Sequence, residues 1–488
     1  MHIQEAKNQI RNAVIAYGTK DAHGRLRIST EKQRPIFLVG APGIGKTAIV
    51  EQIASELNIG FVSYAMTHHT RQSALGLPFI EKKEYGGKTY SVSEYTMSEI
   101  IASVYEQMEE THCEMGILFL DEINCVSETL APMMLQFLQY KTFGRHKVPE
   151  GWIVVTAGNP PEYNDSVREY DIAMLDRMKK IEVEPDFEVW KSFAVKNHVH
   201  PVVLSYLDIR NQYFYRVTTT VDGMSFVTAR GWDDLSQMIF LYEENNLAVN
   251  YDLISQYVQD EEIARDFANY YDLYHKYESD YRINEILAGS AGSEIVQRAK
   301  DAKFDERLSL ISLLISSLED SAASLNLNEN CLRTVLKEIK AMDALTEEEL
   351  QAKKELWHRK SELTDAKEHV DLAFACEDLY TELLTMMKKG KDETQLREAL
   401  REKVMALKND TVFLQDSLAN VFAFFEEAFG SGQEMLILVS ELTVRPAASS
   451  FIYSHGCEKY YEYNRQLLFA DRDSALNERI DALDLLEI

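Results

Sequence analysis

Pro35–Val39 is an apolar run of strand character that feeds directly into Gly40-Ala41-Pro42-Gly43-Ile44-Gly45-Lys46-Thr47. The next residues, Ala48–Leu57, carry a helical pattern. The spacing G-x-x-x-x-G-K-T between a strand and a helix leaves few local architectures open. Glycines let the backbone curl into a nest of N–H donors, with the positive end of a helix behind it. Lys46 then adds a point charge for β- and γ-phosphates, and the Thr47 hydroxyl is an oxygen donor for Mg²⁺. Gly40, Pro42, Gly43, Ile44, Gly45, Lys46, Thr47 and Ala48 are therefore expected to hold a nucleoside triphosphate.

Such a site needs acids nearby. Gly116–Leu120 is a second apolar run and ends in Asp121-Glu122. A strand apolar throughout is buried on both faces, as in a parallel sheet, and α/β sites open at the C-terminal ends of such strands. Asp121 is expected to hold Mg²⁺, through water, and Glu122 to polarise an attacking water. A third run, Trp152–Ala157, leads into Gly158-Asn159-Pro160. The Asn159 amide at its tip is placed to hold that water or to sense the bound nucleotide. Phe61–Ala65 and Lys180–Val183 read as two further strands.

This constellation resembles the AAA+ ATPases, and within them the MoxR-like group, through Gly40–Thr47 (Walker A), Ile117–Glu122 (Walker B) and Asn159 (sensor 1). The resemblance covers roughly residues 1–280. It implies an α/β P-loop NTPase core with a five-stranded parallel sheet, an α-helical lid, ATP and Mg²⁺ as cofactors, and a ring. Met174-Leu175-Asp176-Arg177-Met178 is similar to the family's L-D-R-F segment, which makes Arg177 the arginine finger, with Met178 in place of Phe and Arg168 as a nearby competitor. Phe226–Trp232 is similar to the segment that opens the lid helix, so Arg230 would be sensor 2, with Ala229 where the family has proline.

The same resemblance accounts for Leu77–Tyr95. Gly86-Gly87 between two strand-like runs predicts a two-residue hairpin turn. Pairing Tyr85 with Lys88 puts Phe79, Tyr85, Tyr90 and Val92 on one face and Lys82, Glu84, Ser91 and Ser93 on the other. The family places such a hairpin towards the ring pore; packing on its own subunit is the alternative. In Thr67-His68-His69-Thr70-Arg71-Gln72 the paired histidines lack thiol or carboxylate partners at ligand spacing, so solvent- or pore-facing residues are expected rather than a metal site.

The expected organisation is a nucleotide-binding core over 1–186, a helical lid over 187–280 and an all-α extension over 281–488. Within the extension, Phe304, Leu308, Ile311, Ile315 and Leu318 recur at helical spacing. Thr346-Glu347-Glu348-Glu349 reads as a capping box opening a charged helix, and Lys388-Lys389-Gly390 as a helix stop. Between those signals an antiparallel helical hairpin is expected, with an aromatic helix over Phe413–Phe429 beyond it.

Charge decides between functions. Lys+Arg number 51 against 79 Asp+Glu, a formal net charge of −28, and the excess is divided evenly between residues 1–280 and 281–488. That disfavours nucleic acid or an anionic membrane as the main partner. No unbroken apolar run suggests membrane insertion, Met1–Tyr17 reads as an amphipathic helix rather than a signal peptide, and the five scattered cysteines fit buried reduced thiols in the cytoplasm. The leading expectation is an ATPase ring, a hexamer, that remodels a client protein, with a von Willebrand factor A domain protein as the partner the family implies. The alternatives are a nucleic-acid motor or loader using Arg71, Lys82, Lys83 and Lys88, and a nucleotide-gated scaffold.

Overall fold

The computed structural model describes residues 1–465, apart from 69–75, 144, 164–166, 168–169, 171, 221–222, 343–344 and 364–366. Two compact units divide the chain: Met1–Phe193 with Asn211–Arg265, and Ala194–Arg210 with the residues from Asp266 onward. These bounds cut through the 187–280 segment, placing 194–210 and 266–280 in the second unit.

The first unit is built on β1 (Ile36–Gly40), β2 (Gly60–Ala65), β5 (Gly116–Asp121), β8 (Trp152–Gly158) and β9 (Lys179–Val183). They form one parallel sheet in the order β2-β5-β8-β1-β9. All five are strands expected from the sequence. Their side chains alternate between two covered faces, as the period of two dictates. Ile117 and Phe119 of β5 pack with Ile10 and Val14 of α1 (Ile3–Tyr17) and Val50 and Ile53 of α2 (Lys46–Leu57). Leu118 and Leu120 pack with Ile101 and Val104 of α3 (Glu99–Thr111) and Met134 and Phe137 of α4 (Ala131–Tyr140). Because the strands are parallel, β1, β5 and β8 present Gly40, Asp121 and Gly158 at the same edge.

Two excursions leave this core. β3 (Pro78–Tyr85) and β4 (Lys88–Tyr95) form the expected hairpin, in the expected register with Tyr85 opposite Lys88. Its turn uses Gly86 at φ 57° and Gly87 at φ 76°, a conformation costly for residues with a Cβ. A shorter pair, β6 (Thr142–Phe143) and β7 (His146–Lys147), precedes β8. Later in the chain, β10 (Arg216–Thr220) and β11 (Gly223–Val227) pair antiparallel and lead into α5 (Ala229–Glu244), whose N-cap is Thr228.

The second unit is helical among the described residues. In α6 (Phe304–Lys340), Ile311, Ile315 and Leu318 are buried as the spacing implied, whereas Phe304 is exposed at the first turn. α7 (Glu347–Leu363) starts on Thr346, whose hydroxyl accepts from the Glu349 amide at 3.3 Å. It lies antiparallel to α8 (Lys367–Lys388): Glu347 pairs with Lys388 and His358 with Glu377. Leu350, Trp357, Cys376 and Tyr380 share the core between them. The Phe413–Phe429 run lies inside the longer α9 (Glu393–Phe429), opened by an Asp392/Gln395 capping box.

One described helix, α6, is long and apolar enough to cross a membrane, which amends the expectation drawn from unbroken apolar runs. Half of its apolar window is buried inside the protein. Glu319 within it accepts from the Ala447 and Ala448 amides at 3.0 and 2.8 Å. All five cysteines are free, with Cys331 and Cys376 buried and the other three half-buried.

Candidate nucleotide site

The loop between β1 and α2 folds as the motif requires. Gly43 and Gly45 adopt φ 73° and 89°, and Gly45 caps α2, leaving the first-turn amides around Thr47 and Ala48 without helical partners. Lys46 is 8% exposed. Its ammonium donates to the carbonyls of Gly40 and Ala41, both at 2.8 Å, and to Asn159 Oδ1 at 2.9 Å. Burial lowers its pKa from 10.5 to about 8; Asp121 opposes that shift, Arg230 adds to it and Glu122 opposes it. A buried cation of this kind gains most from an incoming polyanion.

Thr47 Oγ1 donates to Asp121 Oδ2 at 3.0 Å. Asp121 also accepts the Glu122 amide at 2.9 Å, and Glu122 itself sits at φ 54°, turning the chain sharply after β5. The strand end thus points two adjacent carboxylates in different directions. Asn159 stands at the tip of β8, its side chain on Lys46 and its carbonyl accepting from Asn124 Nδ2 at 2.7 Å.

The structure therefore brings Gly40, Lys46, Thr47, Asp121, Glu122 and Asn159 to one place. Arg230, at the start of α5, joins them: its backbone amide donates to Gly43 O at 3.3 Å and its charge is felt by Lys46. Pro42 and Gly43 are met by Tyr215 and Thr228. Arg177 is not part of the cluster. It is exposed, with no ion pair among the described residues. Its competitor Arg168, and the acids Glu169 and Asp171 beside it, lie outside the described residues.

Three contributors escaped the sequence reading. Thr67 Oγ1 donates to Glu122 Oε2 at 2.9 Å, so the first residue of the polar Thr67–Gln72 stretch holds the acid; the rest of that stretch from His69 onward lies outside the described residues. Asn124 braces Asn159, and only its place two residues past Glu122 could have hinted at that. Tyr170 donates to Ile123 O at 2.8 Å and its ring meets Phe37 edge-on, steadying the turn after β5.

Thr47 and Asp121 supply adjacent hard oxygen donors, which fits Mg²⁺ rather than a softer metal. No curated protein matches the chain. Residues 35–178 match the family model described as AAA domain (dynein-related subfamily), a stretch that opens one residue before β1 and closes just before β9. The parallel sheet, the glycine-lined loop and this match together identify an AAA+ domain in residues 35–178.

Proposed function

We propose that this protein is a MoxR-like AAA+ ATPase that hydrolyses ATP in a homo-oligomeric ring, a hexamer, and uses the cycle to remodel or assemble a client protein. The observation that carries the reading is the meeting of Lys46, Thr47, Asp121, Glu122 and Asn159 at one sheet edge. A phosphate-holding lysine, an oxygen pair for a metal, a second carboxylate held by Thr67 and a strand-tip amide are the parts phosphoryl transfer to water needs. Thr47 and, through water, Asp121 would hold Mg²⁺, which would supply positive charge against the phosphates.

The chain's own groups then divide the work. The nest amides and Lys46 orient the triphosphate; Glu122 takes the proton of the attacking water; Asn159, tied to Lys46, is the amide offered to the terminal phosphate. Arg177, exposed and outside its own cluster, is free to reach the site of a neighbouring copy. The exposed Phe79, Ile80, Tyr85 and Tyr90 of the β3–β4 hairpin offer apolar contact to a client. A von Willebrand factor A domain protein is the partner class we favour, in the cytoplasm, where five free cysteines stay reduced.

Glu122→Gln tests the reading. The amide keeps the shape but cannot accept the water's proton, so nucleotide should stay bound while turnover falls by about 10²-fold or more. The arrested protein should also retain its client on affinity capture. Turnover at the wild-type rate would remove Glu122 from the chemistry.

A further inference from the structure

The phosphate loop is held from the side by residues far along the chain. Tyr215 Oη donates to Pro42 O at 2.9 Å, and the Arg230 amide donates to Gly43 O at 3.3 Å. Thr228 packs so closely that a Cβ on Gly43 would lie 3.0 Å from its hydroxyl. Two first-turn amides of α5 are thereby spent: Gly231 N–H on the Thr228 cap, Arg230 N–H on the loop.

The consequence follows from peptide geometry. In a planar trans peptide the carbonyl and the following N–H point in opposite directions. Fixing the Pro42 carbonyl therefore fixes the Gly43 N–H, and fixing the Gly43 carbonyl fixes the Ile44 N–H. Both are donors of the nest that would receive phosphate oxygens. Resting on the nucleotide-site reading above, the geometry points to Tyr215 as a positioning residue: its hydroxyl, with the Arg230 amide, aims two successive loop amides away from these anchors and at the phosphates. Burial raises the phenol's pKa, so it remains a donor through the neutral range.

Tyr215 has a second surface. With Pro185, Phe187, Gln212 and Phe214 it lines a cavity of about 350 Å³, where an aromatic wall would also suit a nucleoside. The test separates the two roles. Full-length wild type and Tyr215→Phe, which differ by one oxygen, are titrated with ADP and, in competition, with inorganic tripolyphosphate, which has no base or sugar. Losing the hydroxyl is expected to weaken both probes by the same factor, about three- to tenfold. The KM for ATP should rise by that factor while kcat moves far less, and Tyr215→Leu should lose at least as much.

Unchanged affinity for both probes overturns the proposal. Weaker ADP with unchanged tripolyphosphate overturns it too, since Tyr215 would then touch the nucleoside. So does a fall in kcat at constant KM. A wild-type chain that binds neither probe is a different failure, that of the nucleotide site itself, and it takes this inference with it.

Discussion

Lys46 carries a cost that a ligand would relieve. Its pKa in the fold lies at about 8, below its ordinary 10.5, because burial penalises the charge. Between those values the unfolded chain binds more protons than the folded one, so this group makes the nucleotide-free protein more stable as pH rises through that window. Nucleotide binding favours the charged form and should pull a proton back. Calorimetric titration with ADP at pH 8.5, in two buffers of different ionisation enthalpy, should show proton uptake that fades towards pH 7. Equal enthalpies in both buffers would mean that Lys46 is not burdened as described. Gly158 offers a second test. A Cβ there would fall 2.3 Å from Asn124 Oδ1, and Asn124 holds the Asn159 carbonyl. Gly158→Ala should cost about 1–3 kcal/mol in denaturant unfolding and depress turnover with it; a variant matching wild type in both would show that Asn124 moves freely. At this scale the motif residues were legible because their chemistry forces their spacing. Thr67 and Asn124 were not, because a lone Thr or Asn becomes meaningful only once the fold brings it to Glu122 or Asn159.

Among the elements, the β3–β4 hairpin shows how far local pattern reaches. Two adjacent glycines between strand-like runs fix turn and register together, since a slip of one residue would turn every side chain to the opposite face. What the pattern could not supply is a partner for the exposed Phe79, Ile80, Tyr85 and Tyr90. Lys83 and Arg145 both pair with the buried Glu94, the hairpin's charged tie. Replacing Gly86 and Gly87 with alanine should loosen the hairpin, seen as faster amide exchange over Pro78–Tyr95, with little change in the melting temperature. A large drop in melting temperature would show that the hairpin carries core stability that its exposure denies. The helical pair α7–α8 was legible for a similar reason: the Thr346 cap and the Gly390 stop mark its ends. The length of α9 went unread, although Leu396, Leu400 and Leu407 recur at helical spacing in its first half and pack into the core of the α7–α8 pair.

At the scale of the whole molecule, sequence reading succeeded with the sheet and was coarser with the unit boundaries. A parallel sheet writes itself as apolar strands, whereas a division that assigns Ala194–Arg210 to the same unit as the residues after Asp266 depends on contacts distant in sequence. Arg177 belongs to this scale as well. If it serves a neighbouring copy, rings mixing Arg177→Ala with Glu122→Gln subunits should recover turnover that neither variant shows alone. An absence of recovery places its role within its own subunit or outside catalysis.

In the proposed function, the glycine-lined loop and the Asp121–Glu122 pair act together on a triphosphate. Release of inorganic phosphate from ATP by the purified full-length chain tests it most directly, measured with Mg²⁺, with chelator, and with Lys46→Ala. Release that requires Mg²⁺ and disappears with the lysine is the expected result. No Mg²⁺-dependent release from the wild-type chain, or release that survives the loss of Lys46, would contradict the account.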